Sequence, residues 1–175
     1  MIYVVPSLKA KEKLQCEGKA WAESQGFAYV PRGKRTIQDL MDEYGEDFLV
    51  YSSRGTQIDR PEGSHFFSLN MAELRIQNLR KGQRDHLLEA LMGVKEYDLR
   101  PAAAQPPISV LDCTCGFGAD AAVASFGLPA GSRVDALEVS PLLEAVTAWG
   151  FSHFVHKKDD VTAALRRISL RCGDY

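Results

Sequence analysis

Val110-Leu111-Asp112-Cys113-Thr114-Cys115-Gly116-Phe117-Gly118-Ala119-Asp120-Ala121 is the stretch on which the reading of this chain turns. An apolar run ends in a carboxylate, a Gly-x-Gly turn follows, and small residues open a helix. Ile108 to Leu111 reads as a buried strand, Val123 belongs to the helix behind the turn, and Val134 to Leu137 is the next strand, closed by Glu138. Leu142 to Trp149 and roughly Asp160 to Arg166 read as helices, and Ile168 to Cys172 as a third strand. Such alternation builds a parallel, doubly wound α/β sheet, whose ligands sit beyond the carboxyl ends of its strands.

Two ligand classes use a turn of this kind. Gly116, Gly118 and Ala121 satisfy a relaxed dinucleotide fingerprint, and Glu138 stands near the distance expected of an acid that binds ribose hydroxyls. Charge separates the two. A pyrophosphate wants helix amides and positive potential, whereas Asp112 precedes this turn and Asp120 follows it. S-adenosylmethionine (SAM) carries an ammonium and a sulfonium, so Asp112 is assigned to the ammonium, the glycine amides to the ligand carboxylate, and Glu138 to both ribose hydroxyls. Taken singly, Asp112 is a strand-end residue, Asp120 a cap and the glycines turn residues; in order they describe one site. Asp174, beyond the third strand, is placed to meet an adenine amino group or simply to face solvent.

Upstream, Lys95 to Pro107 is rich in proline and alanine and marks a linker. Before it lie two helices: one opened by Asn70 and Glu73 at capping-box spacing and ended by Gly82, the other from Asp85 to Met92. The first fifty residues alternate strand and helix. Ile2 to Val5, stopped by Pro6, precedes a helix carrying Leu14, Gly18 and Trp21; Phe27 to Val30 precedes a helix from Thr36 to Tyr44 with Thr36 and Asp39 as a capping box. Phe48 to Tyr51 is the third strand, Arg54-Gly55 a hairpin turn, and Phe66-Phe67 a further extended piece. The expected organisation is a small N-terminal α/β domain over 1–69, a helical connector and linker over 70–106, and a SAM-binding Rossmann-like half-domain over 107–175.

A net charge of −2 excludes a surface built wholly for nucleic acid, although Arg32, Lys34 and Arg35, and then Arg75, Arg80, Lys81 and Arg84, form local basic groups suited to phosphates or to solvent. No apolar run is long enough to span a bilayer and no leader precedes the first strand, so a cytoplasmic location without membrane contact is expected. Cys16, Cys113, Cys115 and Cys172 lack zinc-site spacing and read as reduced and mostly buried. His153 and His156 read as surface residues at a helix end, and no metal is expected.

The stretch from Val110 to Ser140, with Leu-Asp-Cys-Thr-Cys-Gly-Phe-Gly-Ala-Asp-Ala and then Leu-Glu-Val-Ser-Pro, resembles the bacterial ribosomal RNA guanine-N2 methyltransferases and their relatives within the class I SAM-dependent superfamily. Asn70 to Ile76 resembles those relatives too. The resemblance implies a Rossmann-like class I methyltransferase sheet, SAM as cofactor and ribosomal RNA as partner. It implies that Asp120 and Glu138 bind SAM and that Asp174 meets the adenine; the candidate cofactor contacts as a whole are Asp112, Thr114, Gly116, Gly118, Ala119, Asp120, Glu138, Val139, Gly173 and Asp174. Ala119 departs from the arginine common in the ribosomal RNA members. Such enzymes continue into a fourth strand ending in an Asp-Pro type motif, so the chain reads as the first half of the sheet, with catalytic residues expected beyond Tyr175 and no turnover expected from this chain alone. An exposed edge at Ile108 to Leu111 would then favour a homodimer. The rival readings are an NAD(P)-binding protein and a non-catalytic remnant that binds SAM or a partner.

Overall fold

The computed structural model describes residues 1–93 and 106–175, so most of the proline- and alanine-rich linker lies outside the described residues. The chain divides into two compact units, Met1–Phe67 and Ser68–Tyr175. The first runs β1 (Tyr3–Pro6), α1 (Glu12–Ser24), β2 (Ala28–Tyr29), α2 (Ile37–Tyr44), β3 (Phe48–Ser52), β4 (Gly55–Arg60) and β5 (Gly63–Phe66). Its sheet has the order β2-β1-β3-β4-β5, parallel across the first three strands and antiparallel across the last two. The capping box forms: Asp39 N donates to Thr36 Oγ1 at 3.2 Å and Thr36 N to the Asp39 carboxylate at 2.7 Å. Val5, Leu40, Phe48 and Val50 make the core, with Tyr3 and Tyr44 packed against it. Pro6, expected to stop β1, is its last residue opposite Tyr51, because the next amide, Ser7 N, takes the Tyr51 carbonyl at 2.8 Å.

The second unit runs α3 (Asn70–Arg80), α4 (His86–Met92), β6 (Ser109–Asp112), α5 (Ala119–Gly127), β7 (Arg133–Glu138), α6 (Pro141–His153), α7 (Asp159–Arg166) and β8 (Ile168–Cys172). Its sheet is parallel in the order β6-β7-β8. Since α3 and α4 pack on α5, the helices read as a connector belong to this unit's helical layer. Apolar Ala121 to Ala124 of α5 are buried.

Several local expectations are corrected. The Asn70–Glu73 capping box does not form: Leu69 is the cap residue, Asn70 has φ of 26°, and the Glu73 side chain turns instead to Gln77, His156 and Lys157. β6 is half exposed rather than buried, with Leu111 at 55%, because its outer edge has no partner strand among the described residues. Only Cys115 of the four cysteines is buried; Cys16 and Cys172 sit on exposed element surfaces. His156 is not a surface residue, since Glu73 at 3.3 Å and the Lys158 amide at 3.1 Å enclose its ring. No helix among the described residues is long and apolar enough to cross a membrane.

Candidate functional site

The carboxyl ends of β6, β7 and β8 lie side by side, and the glycine turn wraps over the first two. Gly116 and Gly118 have φ of 55° and 76°, which favours glycine at both. At Gly118 space adds to the demand, because a Cβ there would lie 2.2 Å from the Phe151 ring, whereas nothing lies within 4 Å of one on Gly116. The turn is fastened from below. Cys115 N donates to the Leu137 carbonyl at 2.9 Å, and buried Thr147 donates its hydroxyl to the Gly116 carbonyl at 2.8 Å.

Glu138 organises the centre. It is 8% exposed, with Oε2 accepting from Gly116 N and Oε1 from Ser140 N, each at 2.9 Å. One acceptor position on each oxygen remains for a diol. Its own carbonyl accepts Gly173 N at 3.0 Å, which draws the end of β8 to the same place. Beside it the Val139 side chain is 68% exposed, an apolar surface at the strand ends. Asp174 is exposed, accepts only the Tyr175 amide among the bonds seen, and joins no other site residue.

Within the chain the two glycine amides that the sequence assigns to a ligand carboxylate already have partners. Gly116 N is held by Glu138 and Gly118 N by the Cys115 carbonyl at 2.7 Å. The first-turn amides of α5, at Ala119, Asp120 and Ala121, lack an i−4 helical carbonyl by helix geometry, and the Gly118 cap has no side chain to offer them. Asp112 accepts Thr114 N at 3.1 Å, while Thr114 itself is exposed on the turn. Asp112 and Asp120 share a cavity of about 240 Å³ floored by Leu87, Leu91, Val110 and Ala124. Asp120 is 66% exposed, and Arg75 of α3 pairs with it while holding Asp85 through Nε at 2.7 Å and through its second amino group at 2.9 Å.

Sequence reasoning missed Glu144. Burial pushes its carboxyl above the ordinary glutamate range, and its charge acts on the thiols of Cys115 and Cys172 from the first turn of α6. A Ser-Pro pair opening a helix, with an acid three residues after the proline, was the available signal, but capping alone explains it. Burial, then Asp112, Glu138 and Glu144, push the Cys115 thiol up to about 12, so it stays protonated and is no nucleophile near neutral pH. Three carboxylates therefore act on one buried point of the turn. No group of three or more His, Cys, Asp or Glu side chains among the described residues is placed to hold a metal ion.

Over 98% of the chain, the SAM-dependent methyltransferase NGO1261 from Neisseria gonorrhoeae superposes with a TM-score of 0.59 at 15% identity. The likeness is one of fold. The chain covers 60% of NGO1261. It is also 26% identical over 172 residues to "Uncharacterized protein YpiP" of Bacillus subtilis (strain 168), covering 98% of this chain and 63% of that protein. The chain thus spans roughly three-fifths of the length of the proteins it matches. No family model matches.

Proposed function

We propose that this chain is the SAM-binding portion of a SAM-dependent methyltransferase acting on RNA, with guanine N2 of ribosomal RNA as the acceptor suggested by resemblance. The carrying observation is that Asp112 and Glu138, which end neighbouring parallel strands, both bond amides of the glycine turn, Asp112 accepting Thr114 N at 3.1 Å and Glu138 accepting Gly116 N at 2.9 Å. A pyrophosphate placed there would face that charge, whereas a ligand bearing a sulfonium and an ammonium is attracted by it. The fold likeness to a SAM-dependent methyltransferase supports the same choice.

The residues present fit the cofactor. Glu138 keeps an acceptor on each oxygen for ribose hydroxyls, exposed Val139 offers an apolar wall, Asp112 has a carboxylate for the ammonium, and the first amides of α5 suit a carboxylate. When bound, SAM supplies an electrophilic methyl group. The chain's contribution is alignment, which lowers the barrier of an in-line transfer without a strong base. Asp120, tied to Arg75, braces the start of α5 in this reading.

Calorimetry with SAM, adenosylhomocysteine, NAD and NADP tests it. SAM and adenosylhomocysteine should bind and the dinucleotides should not. Asp112→Asn, which preserves shape and removes charge, should weaken SAM about tenfold, or about 1.4 kcal/mol. Tighter dinucleotide binding in that variant, with SAM unaffected, would overturn the reading in favour of an NAD(P) site.

A further inference from the structure

In the first unit, three loops leave the carboxyl ends of three parallel strands. Residues 7–11 follow β1, residues 30–36 follow β2, and Ser53-Arg54 follow β3. Since the strands lie in the order β2-β1-β3, the loops leave one end of the sheet from neighbouring strands about 4.8 Å apart. They contain six cations, Lys9, Lys11, Arg32, Lys34, Arg35 and Arg54, and no carboxylate, in a chain whose net charge is −2. At the opposite end Glu46 and Asp47 precede β3 and Glu62 lies between β4 and β5, while Glu12 and Asp39 stand in the first turns of the helices that follow the first two loops.

The cations divide by task. Arg32 is 7% exposed, and it and Arg35 each donate Nε to the other's carbonyl, at 3.0 and 3.1 Å, while Arg35 also pairs with Glu43. These two frame the loop. Lys34 is exposed at its tip, and Lys9, Lys11 and Lys34 have no carboxylate partner among the described residues. Exposed Arg54 lies over the Phe66 ring, 4.5 Å from its centroid.

We infer that this sheet end is a docking surface for the phosphodiester backbone of RNA. Charges spread over three loops suit an extended polyanion better than one phosphate, which needs convergent donors, and the Arg54–Phe66 stack gives a base a planar partner. Leu8, 56% exposed, is the only large exposed apolar side chain of these loops, too little for insertion into a bilayer. Of the four basic residues of the second unit that the sequence offered as phosphate contacts, three are engaged instead, Arg75 by Asp85 and Asp120, Arg80 by Asp160 and Arg84 by Glu89, which leaves Lys81 alone there. The choice of RNA over DNA rests on the acceptor proposed above; the row of charge does not.

The test is fluorescence anisotropy of a labelled single-stranded RNA oligomer with the full chain, across a salt series starting at about 50 mM. Lys9→Gln, Lys11→Gln and Lys34→Gln combined should weaken binding at least about tenfold and flatten the log-log salt slope by about two, while Lys19→Gln, Lys157→Gln and Lys158→Gln combined should leave both unchanged. Equal loss in the two triple variants, no RNA binding by the parent at micromolar concentration, or binding only to phosphatidylcholine–phosphatidylserine vesicles would each overturn the inference. SAM calorimetry on the first triple variant keeps the proposals apart. Unchanged SAM affinity with lost RNA affinity supports this surface, whereas a parent that binds RNA but not SAM leaves it standing and removes the cofactor reading.

Discussion

At Gly118 two demands coincide, a left-handed backbone and a Phe151 ring 2.2 Å from where a Cβ would stand, whereas at Gly116 only the backbone constrains the residue. Gly118→Ala should therefore cost about 2 kcal/mol or more, and Gly116→Ala about 1 kcal/mol. Urea denaturation orders them, and equal losses would show that Phe151 yields freely. Glu144 makes a prediction in pH. Burial raises its folded pKa, so it contributes stability that is present at low pH and lost as pH climbs through that raised value. Glu144→Gln should consequently melt higher than the parent near neutral pH, with the gap closing on acidification. A bound cation favours the ionised carboxylate, so SAM affinity of the parent should fall as pH is lowered through the same range, and the variant should show a flatter profile by calorimetry. Parallel profiles would remove Glu144 from the site.

Between elements, one arginine does what three local caps do not. Arg75 of α3 holds Asp85, the N-cap of α4, and reaches Asp120 in the first turn of α5, so it ties three helices of the second unit. Asp85 accepts the amides of Leu87 and Leu88 as well, and the Arg75 guanidinium holds its carboxyl below the ordinary range. A carboxyl lowered on folding contributes stability that is present above its unfolded pKa and lost as pH falls through the folded one. Arg75→Ala should cost about 2–3 kcal/mol near neutral pH, and the difference should shrink below about pH 4. Thermal melts across that range check it; a pH-independent difference would point to lost packing of the arginine stem. Much of this scale was legible. Thr36 with Asp39, and Asp85 as the start of a helix, could be read locally because a cap bonds within three residues of itself. Asn70 with Glu73 has the same spacing and fails, because Glu73 is drawn to His156 and Lys157 from a distant part of the chain.

Across the whole chain, each unit carries its own sheet, and Val5, Leu40, Phe48 and Val50 close a core without residues of the second. SAM should accordingly slow hydrogen exchange at the turn from Thr114 to Ala121 and at Ser140, with little change at Val4, Val5 and Val50. Mass spectrometry of exchanged peptides reads this directly. Comparable protection in both units would show that the cofactor stabilises the chain as one cooperative body. Charge also follows the units: the first collects unpaired lysines at one sheet end, while the second gathers carboxylates at its glycine turn.

By itself the sequence determined the alternation of strands and helices, the two small sheets, the glycine turn, and the acids Asp112 and Glu138 at strand ends. These follow from side-chain period, backbone freedom at glycine and capping, all of which act within a few residues. Only the tertiary structure decided that Glu138 holds the Gly116 amide, that Arg75 claims Asp120, that Glu144 acts on the turn, and that β6 stands half exposed. The partner of a charged side chain depends on which elements pack beside it, and residues 45 positions apart, as Arg75 and Asp120 are, leave no mark of that pairing in local periodicity.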